Sequence, residues 1–340
     1  LIPTCAVALC AVLACDGAVL HHNAPFRSSQ PSRPMGISQY LKVIGRGKVG
    51  ARNLPRDQAT DLMGQVLDGT ASDLEVGAFC IAMRVKGETP EEMAGFLDAI
   101  HERLEMLPAS TRPLVVLPSY NGARKLPVLT PLLALLLARE GVPVLVHGTA
   151  TEDRRVSSQD VLAQLGIEAL QEVDEIDAGS VAFAPTALLL PGLERLLDVR
   201  RTLGLRNSAH SLVKLMDPLA PVAGDSLIVG SYTHPEYAES MAATITLTGA
   251  DALLLRGTEG EPVADPRRTP QMDGFLSGRT VRLQEAQGGP LTALPTLPST
   301  TDAASTAQYT RAVLGGELPV PEPIARQVEH ILHLLRKIAS

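Results

Sequence analysis

Residues 114–146 read LVVLPSYNGARKLPVLTPLLALLLAREGVPVLV, and this stretch decides the fold. Leu114-Val115-Val116-Leu117 is a short apolar run between Pro113 and Pro118, which predicts a buried strand. Leu129 to Arg139 is strongly apolar and is stopped at Gly141, which predicts a buried helix. Val142 to Val146 repeats the strand signal. Strand, loop, helix and strand at this length make a βαβ unit, whose two strands must run parallel.

Moving outward, Val181-Ala182-Phe183, Leu227-Ile228-Val229 and Ala252-Leu253-Leu254-Leu255 predict further strands. Val161 to Leu165, Leu193 to Leu203 and Ser208 to Met216 predict helices, and Ile324 to Ile338 a final amphipathic one. Past Thr280 and before that last helix the pattern becomes loop-rich. Towards the N-terminus, Ile37 to Leu107 is helical. Ala59, Leu62, Met63, Val66 and Leu67 repeat at helix spacing until Asp68-Gly69. Ser72 and Thr89 are N-caps, the second followed by Pro90 and two acids that complement the positive helix end. The fold class expected is α/β, a small helical bundle domain plus a larger α/β domain with a central mixed, mainly parallel sheet. Ligands of such sheets bind beyond the carboxyl ends of the strands. Four loops lie there: Pro118 to Lys125, His147 to Ser158, Gly230 to Tyr237 and Arg256 to Pro262.

The 340 residues are 45% hydrophobic and 20% charged, enough for an ample core. A net charge of −7 excludes global attraction to polyanions, so nucleic-acid binding needs a local basic patch. Cys5, Cys10 and Cys15 fall in residues 1–34 and only Cys80 lies in the body, which excludes a disulfide framework. Cys80 sits in an apolar helix and reads as core. The body is expected to be cytoplasmic, without stable membrane association. Residues 1–34 read as an extension or signal-like segment outside the fold. An apolar run without a preceding Lys or Arg leaves a signal peptide open, and Val12-Leu13-Ala14-Cys15 leaves a lipoprotein signal open.

Val199-Arg200-Arg201-Thr202-Leu203-Gly204-Leu205-Arg206 resembles a helix-turn typical of anthranilate phosphoribosyltransferases. Gly45-Arg46-Gly47-Lys48, the run from Gly77 to Arg84, and His147-Gly148 are similar to that family as well. The resemblance implies a helical domain of residues 35–107 plus about 190–222, and an α/β domain of residues 108–189 plus 223–340. It also implies a homodimer through the helical domain. Four segments are similar to a DNA-binding, transferase-impaired branch of the family. They are Ser119-Tyr120-Asn121-Gly122-Ala123-Arg124-Lys125, Arg206-Asn207-Ser208-Ala209-His210, His234-Pro235-Glu236-Tyr237 and Gly257-Thr258-Glu259-Gly260-Glu261.

Phosphoribosyl transfer needs a glycine-rich turn for the pyrophosphate, a cation for the phosphates, and carboxylates that carry Mg²⁺. The family's G-T-G-G-D-G loop falls on Pro118-Ser119-Tyr120-Asn121-Gly122-Ala123, where each of its glycines is replaced. Its K-H-G-N-R becomes Val146-His147-Gly148-Thr149-Ala150, and its acidic pair becomes Glu261-Pro262. These losses argue against anthranilate transferase activity. The resemblance leaves a residual phosphate or substrate cleft of Ser119, Thr130, His147, Gly148, Ser157, Ser158, Arg206 and Glu261.

What the replacements add is positive charge. Arg46, Lys48, Arg52, Arg84, Lys86, Arg124, Lys125, Arg206 and Lys214 are the expected phosphate contacts of a sequence-nonspecific nucleic-acid-binding surface, with Tyr120 stacking on a base. Acids cluster elsewhere, as in Glu172, Asp174, Glu175 and Asp177. No metal site is expected and no cofactor, with Mg²⁺ needed only under the alternative. That alternative is a glycosyltransferase or phosphoribosyltransferase acting on an unidentified substrate.

Overall fold

Residues 36–108, 112–219, 226–291 and 294–339 are described by a computed structural model of the chain. The expectations for residues 1–34 and for the end of the returning segment at 220–222 lie outside them. Five helices come first: α1 (Ser38–Ile44), α2 (Gly47–Gly50), α3 (Arg56–Leu67), α4 (Asp73–Lys86) and α5 (Pro90–His101). Ser72 and Thr89 each close a capping box, with Glu75 and Glu92, which satisfies the first free N–H groups of α4 and α5. Glu92 does more than cap. Fully buried, it accepts from Leu54 N–H at 2.9 Å and pairs with the Lys86 ammonium at 2.6 Å. The two ends of the α4–α5 turn are thereby tied to the strand-like approach to α3.

The rest of the chain alternates. It runs β1 (Leu114–Ser119), α6 (Thr130–Arg139), β2 (Val144–Gly148), α7 (Ser158–Gln164), β3 (Val181–Pro185), α8 (Thr186–Leu189), α9 (Pro191–Leu203) and α10 (Ala209–Leu212). It continues through β4 (Ser226–Tyr232), α11 (Pro235–Thr248), β5 (Ala252–Arg256), β6 (Met272–Leu276), β7 (Arg279–Gln284), α12 (Ala303–Leu314) and α13 (Glu322–Ile338). The seven strands form one sheet in the order β3-β2-β1-β4-β5-β6-β7. The first five are parallel, and β6 and β7 are added antiparallel.

Alternation along each strand divides the core. Val115, Leu117, Val144, Val146, Leu227, Val229, Leu253 and Leu255 face α6 and α13. Leu114, Val116, Leu145, Ile228 and Leu254 join the core that includes α3, α5, α9 and α11. Helix α9 returns against α3 so closely that a Cβ at Gly192 would stand 2.3 Å from the Leu67 carbonyl oxygen. The helical bundle and the sheet thus share one core layer, and the carboxyl ends of β1, β2, β4 and β5 open towards the seam between them.

Two sequence expectations are corrected. The segment past Thr280 is not loop throughout, since β7 and α12 lie in it. Strand β7 is an exposed edge strand whose Arg279, Thr280 and Arg282 give no apolar alternation. In α12, Thr306 and Thr310 turn their hydroxyls back onto helix carbonyls, so threonines stand where a hydrophobic stripe would signal helix. Ser208 to Met216 is helical only over α10. There the Asn207 side chain bonds Ala209 N–H and the Leu196 carbonyl, a local turn that competes with a longer helix.

Candidate functional site

Strand β1 ends at Ser119, and the chain turns at Gly122, which holds φ +63. A Cβ there would stand 2.6 Å from the Val156 carbonyl oxygen, so the turn sits flat on the loop before α7. This geometry aims the N–H groups of residues 121, 122 and 124–126 outward, while Ala123 N–H bonds the Val156 carbonyl at 2.8 Å. Glu261, 1% exposed, fills the first part of that set. One carboxylate oxygen accepts from the N–H groups of Asn121 and Gly122, each at 2.8 Å. The other accepts from the hydroxyls of Ser119, Thr130 at 3.0 Å and, at 3.5 Å, Ser158.

Glu259 fills the second part. Its carboxylate accepts from the N–H groups of Arg124 (2.9 Å), Lys125 (2.8 Å) and Leu126 (3.2 Å), and Arg155 stands 3.7 Å away. Glu259 adopts φ +52 to deliver it, a conformation that is rare outside glycine. Between the two acids Gly260 holds φ +91, and a Cβ there would collide with the Asn121 amide at 1.6 Å. The Lys214 ammonium, 8% exposed, donates to the carbonyls of Gly260 at 2.9 Å and Ser231 at 3.1 Å, so it clamps this loop from the other side.

Outside this inner site lies a cleft of about 950 Å³. Arg84, Asn121, Glu152, Arg155, Arg206, His210, Lys214, His234, Tyr237 and Glu259 are among the residues lining it. Three guanidiniums converge on one carboxylate: Arg200 at 2.6 Å, Arg155 at 3.1 Å and Arg206 at 3.7 Å from Glu152. Burial alone would raise the Glu152 pKa, but Arg200 and Arg155 outweigh it and hold it at about 2. The carboxylate is ionised at neutral pH, and the group keeps an excess of positive charge. Burial, with Arg206 and Arg200 beside it, pushes His210 down to about 3, so that ring is neutral. Its Nδ1 lies 3.2 Å from Asn207 Oδ1, while Nε2 has no partner among the described residues.

The expected site residues divide into three groups. Ser119, Thr130, Ser158 and Glu261 come together as one network, and Arg206 lies in the cleft. Arg46, Lys48, Arg52, Arg84, Arg124 and Lys125 are exposed. Gly148 pairs with Ser119 across β1 and β2, where a Cβ would meet the Ser119 carbonyl oxygen at 1.9 Å, so its role is close strand packing.

The remaining expected residues are corrected. Tyr120 cannot stack on a base, because it is 3% exposed and its hydroxyl bonds His147 Nδ1 at 2.8 Å and Thr186 Oγ1 at 3.1 Å. His147 is buried beneath the loop as its partner. Lys214 and Lys86 are engaged internally, with the Gly260 carbonyl and with Glu92, and offer no free charge to a phosphate. Ser157 caps α7, its hydroxyl accepting from Asp160 N–H at 3.1 Å. Ser157→Ala is therefore expected to cost about 1 kcal/mol in urea denaturation and to leave ligand binding unchanged.

Glu152, Arg155, Arg200 and Glu259 were not among the expected site residues. The acid-glycine-acid run Glu259-Gly260-Glu261 was the available signal for the last of these.

Three histidines, His147 and His210 buried and His101 half-buried, also set the acid stability. Burial pushes His101 down to about 4 and His147 and His210 to about 3, against roughly 6.5 in the unfolded chain. Between pH 6.5 and 4 the unfolded chain binds protons that the folded chain refuses, so stability falls as pH falls. Urea midpoints at pH 7 and pH 4.5 are expected to show this loss, with a smaller change in a His147→Gln variant.

The family described as "Glycosyl transferase family, helical bundle domain" matches residues 38–104. An uncharacterized protein of Escherichia coli strain K12, YbiB, is 39% identical over 304 residues, covering 86% of this chain and 92% of its own. The anthranilate phosphoribosyltransferase of Myxococcus xanthus is 30% identical and covers 81% of this chain and 82% of its own. The chain belongs to the anthranilate phosphoribosyltransferase-like glycosyl transferase family. The solved enzyme of Thermus thermophilus shares its fold, with a TM-score of 0.66 at 23% identity over 84% of this chain and 91% of that one.

Membership of the anthranilate phosphoribosyltransferase-like family raises the question of Mg²⁺. At phosphate sites Mg²⁺ is held by one or two carboxylates together with the substrate's phosphates. Among the described residues no group of three His, Cys, Asp or Glu side chains could hold a metal ion. The carboxylate in the family's acidic position, Glu261, has both oxygens engaged by protein donors. Nor is any helix among the described residues long and apolar enough to cross a membrane. The amphipathic α13 instead packs Ile324, Ile331, Leu334 and Leu335 into the sheet core.

Proposed function

We propose that this chain binds nucleic acid without regard to sequence, through phosphate contacts across the mouth of the cleft, and does not carry out anthranilate transfer. One contrast carries the reading. The inner donors that would have to receive a substrate diphosphate are engaged by Glu259 and Glu261. At the rim, Arg84, Arg124 and Lys125 are exposed and have no carboxylate partner among the described residues. A polyanion laid across the rim gains those charges without entering the inner site.

Arg52 extends the same surface. Its neighbour Asn53 accepts from Lys86 at 3.2 Å, beside the end of α4 that carries Arg84. Tyr237, 44% exposed in the cleft, takes the stacking role expected of Tyr120. The proposal includes a homodimer through the helical domain. Its support is an apolar groove between α1 and α4 lined by Leu41, Ile44, Ile81 and Val85. A cytoplasmic site of action belongs to the same reading.

A second reading, pentosyl transfer to an unidentified substrate, has its own support. Relatives such as that of Myxococcus xanthus are anthranilate phosphoribosyltransferases, and Arg206 and His210 line the cleft. Fluorescence anisotropy with labelled single strands of several sequences separates the two. The first reading expects binding to all of them at low salt. No binding, together with product formation from phosphoribosyl pyrophosphate, would replace it with the second.

A further inference from the structure

A carboxylate buried as deeply as Glu261 persists only where its oxygens are hydrogen-bonded. Here Glu261 takes the N–H groups of Asn121 and Gly122 with the hydroxyls of Ser119 and Thr130, and Glu259 takes the N–H groups of Arg124, Lys125 and Leu126 further along the same loop. Successive N–H groups aimed at one point make an anion-binding concavity, and a phosphoryl oxygen satisfies them as well as a carboxylate does. The loop that delivers the two acids is under constraint. Glu259 stands at φ +52, and Gly260 leaves no room for a Cβ. A backbone held this way is maintained by what it docks against.

We propose that Glu259 and Glu261 are an internal two-headed anion seated in a latent diphosphate site, and that removing both carboxylates opens that site to inorganic pyrophosphate. The two heads lie on either side of Gly260 and take adjacent parts of one donor loop, as two linked phosphoryl groups would. Arg155 beside Glu259 supplies the cation that a second phosphoryl group would need. The inference stands apart from nucleic-acid binding, which concerns the rim of the cleft and not its floor.

The test is titration of metal-free inorganic pyrophosphate into the full chain, followed by calorimetry and by thermal unfolding. In the Glu259→Ala, Glu261→Ala double variant, pyrophosphate is expected to bind at least about tenfold more tightly than to the wild type and to raise Tm. Two results would overturn the proposal: a wild type that binds as tightly, or a folded double variant that does not respond. Should the double variant fail to fold, Glu259→Ala alone decides. Its side chain is at the edge of the network, 17% exposed, and its removal vacates the N–H groups of residues 124–126. Inorganic phosphate is then expected to stabilise that variant and not the wild type, and equal responses would overturn the proposal.

Discussion

Replacing Glu261 by alanine is expected to lower the unfolding free energy by about 3–5 kcal/mol, the range in which buried charged networks fall when one member is removed. The loss comes from stranded donors. Asn121 N–H, Gly122 N–H and the Ser119 and Thr130 hydroxyls all lose their acceptor in a place that is 1% exposed at Glu261 and fully buried at Thr130. Lys214 loses at the same time the nearby negative charge that opposes its desolvation. Glu261→Gln should lose less, since its carbonyl can still accept from the two N–H groups while its amide meets hydroxyls that can accept. Urea denaturation of the three proteins gives the order wild type, Gln, Ala. A loss below about 1 kcal/mol in the alanine variant would mean that the donors find water and that the carboxylate is not what holds the loop.

The second large effect is on binding. Removing Arg84, Arg124 and Lys125 together, each to alanine, is expected to weaken single-strand binding by about 10- to 100-fold at low salt and to reduce the salt slope by about two. The slope follows from counterion release, at roughly 0.7 per phosphate contact on a single strand. Lys86→Met is the informative contrast. Its ammonium is buried against Glu92, so the change should reduce stability and leave the salt slope unaltered. An equal effect of the two variants on the slope would show that exposure at the rim is not what matters.

How much of this was legible in the sequence depends on the kind of signal each residue leaves. Buried parallel strands such as Leu114–Ser119 and Val144–Gly148 are continuous apolar runs, and helix starts such as Ser72 and Thr89 carry their caps three residues ahead of a glutamate. Both were readable. Strand β7 was not, because an edge strand needs no apolar alternation. Within the site, the four loops at the strand ends were correctly placed by topology, but the direction of a side chain was not encoded locally. Tyr120 and Asn121 are adjacent, yet one ring is buried against His147 and the other side chain reaches Glu259 across the cleft floor. Lys214 reads as a surface cation until the Gly260 carbonyl is seen beside it. The cluster of Arg155, Arg200 and Arg206 on Glu152 joins residues up to 54 positions apart, a contact that no spacing rule anticipates.

The most direct test of the account is the affinity of the wild-type chain for a labelled single strand, measured by anisotropy across a range of salt. The account predicts that log affinity falls linearly with log salt, at a slope of about −2 or steeper, for strands of unrelated sequence. An affinity that does not change with salt, or no binding at the lowest salt, would contradict it.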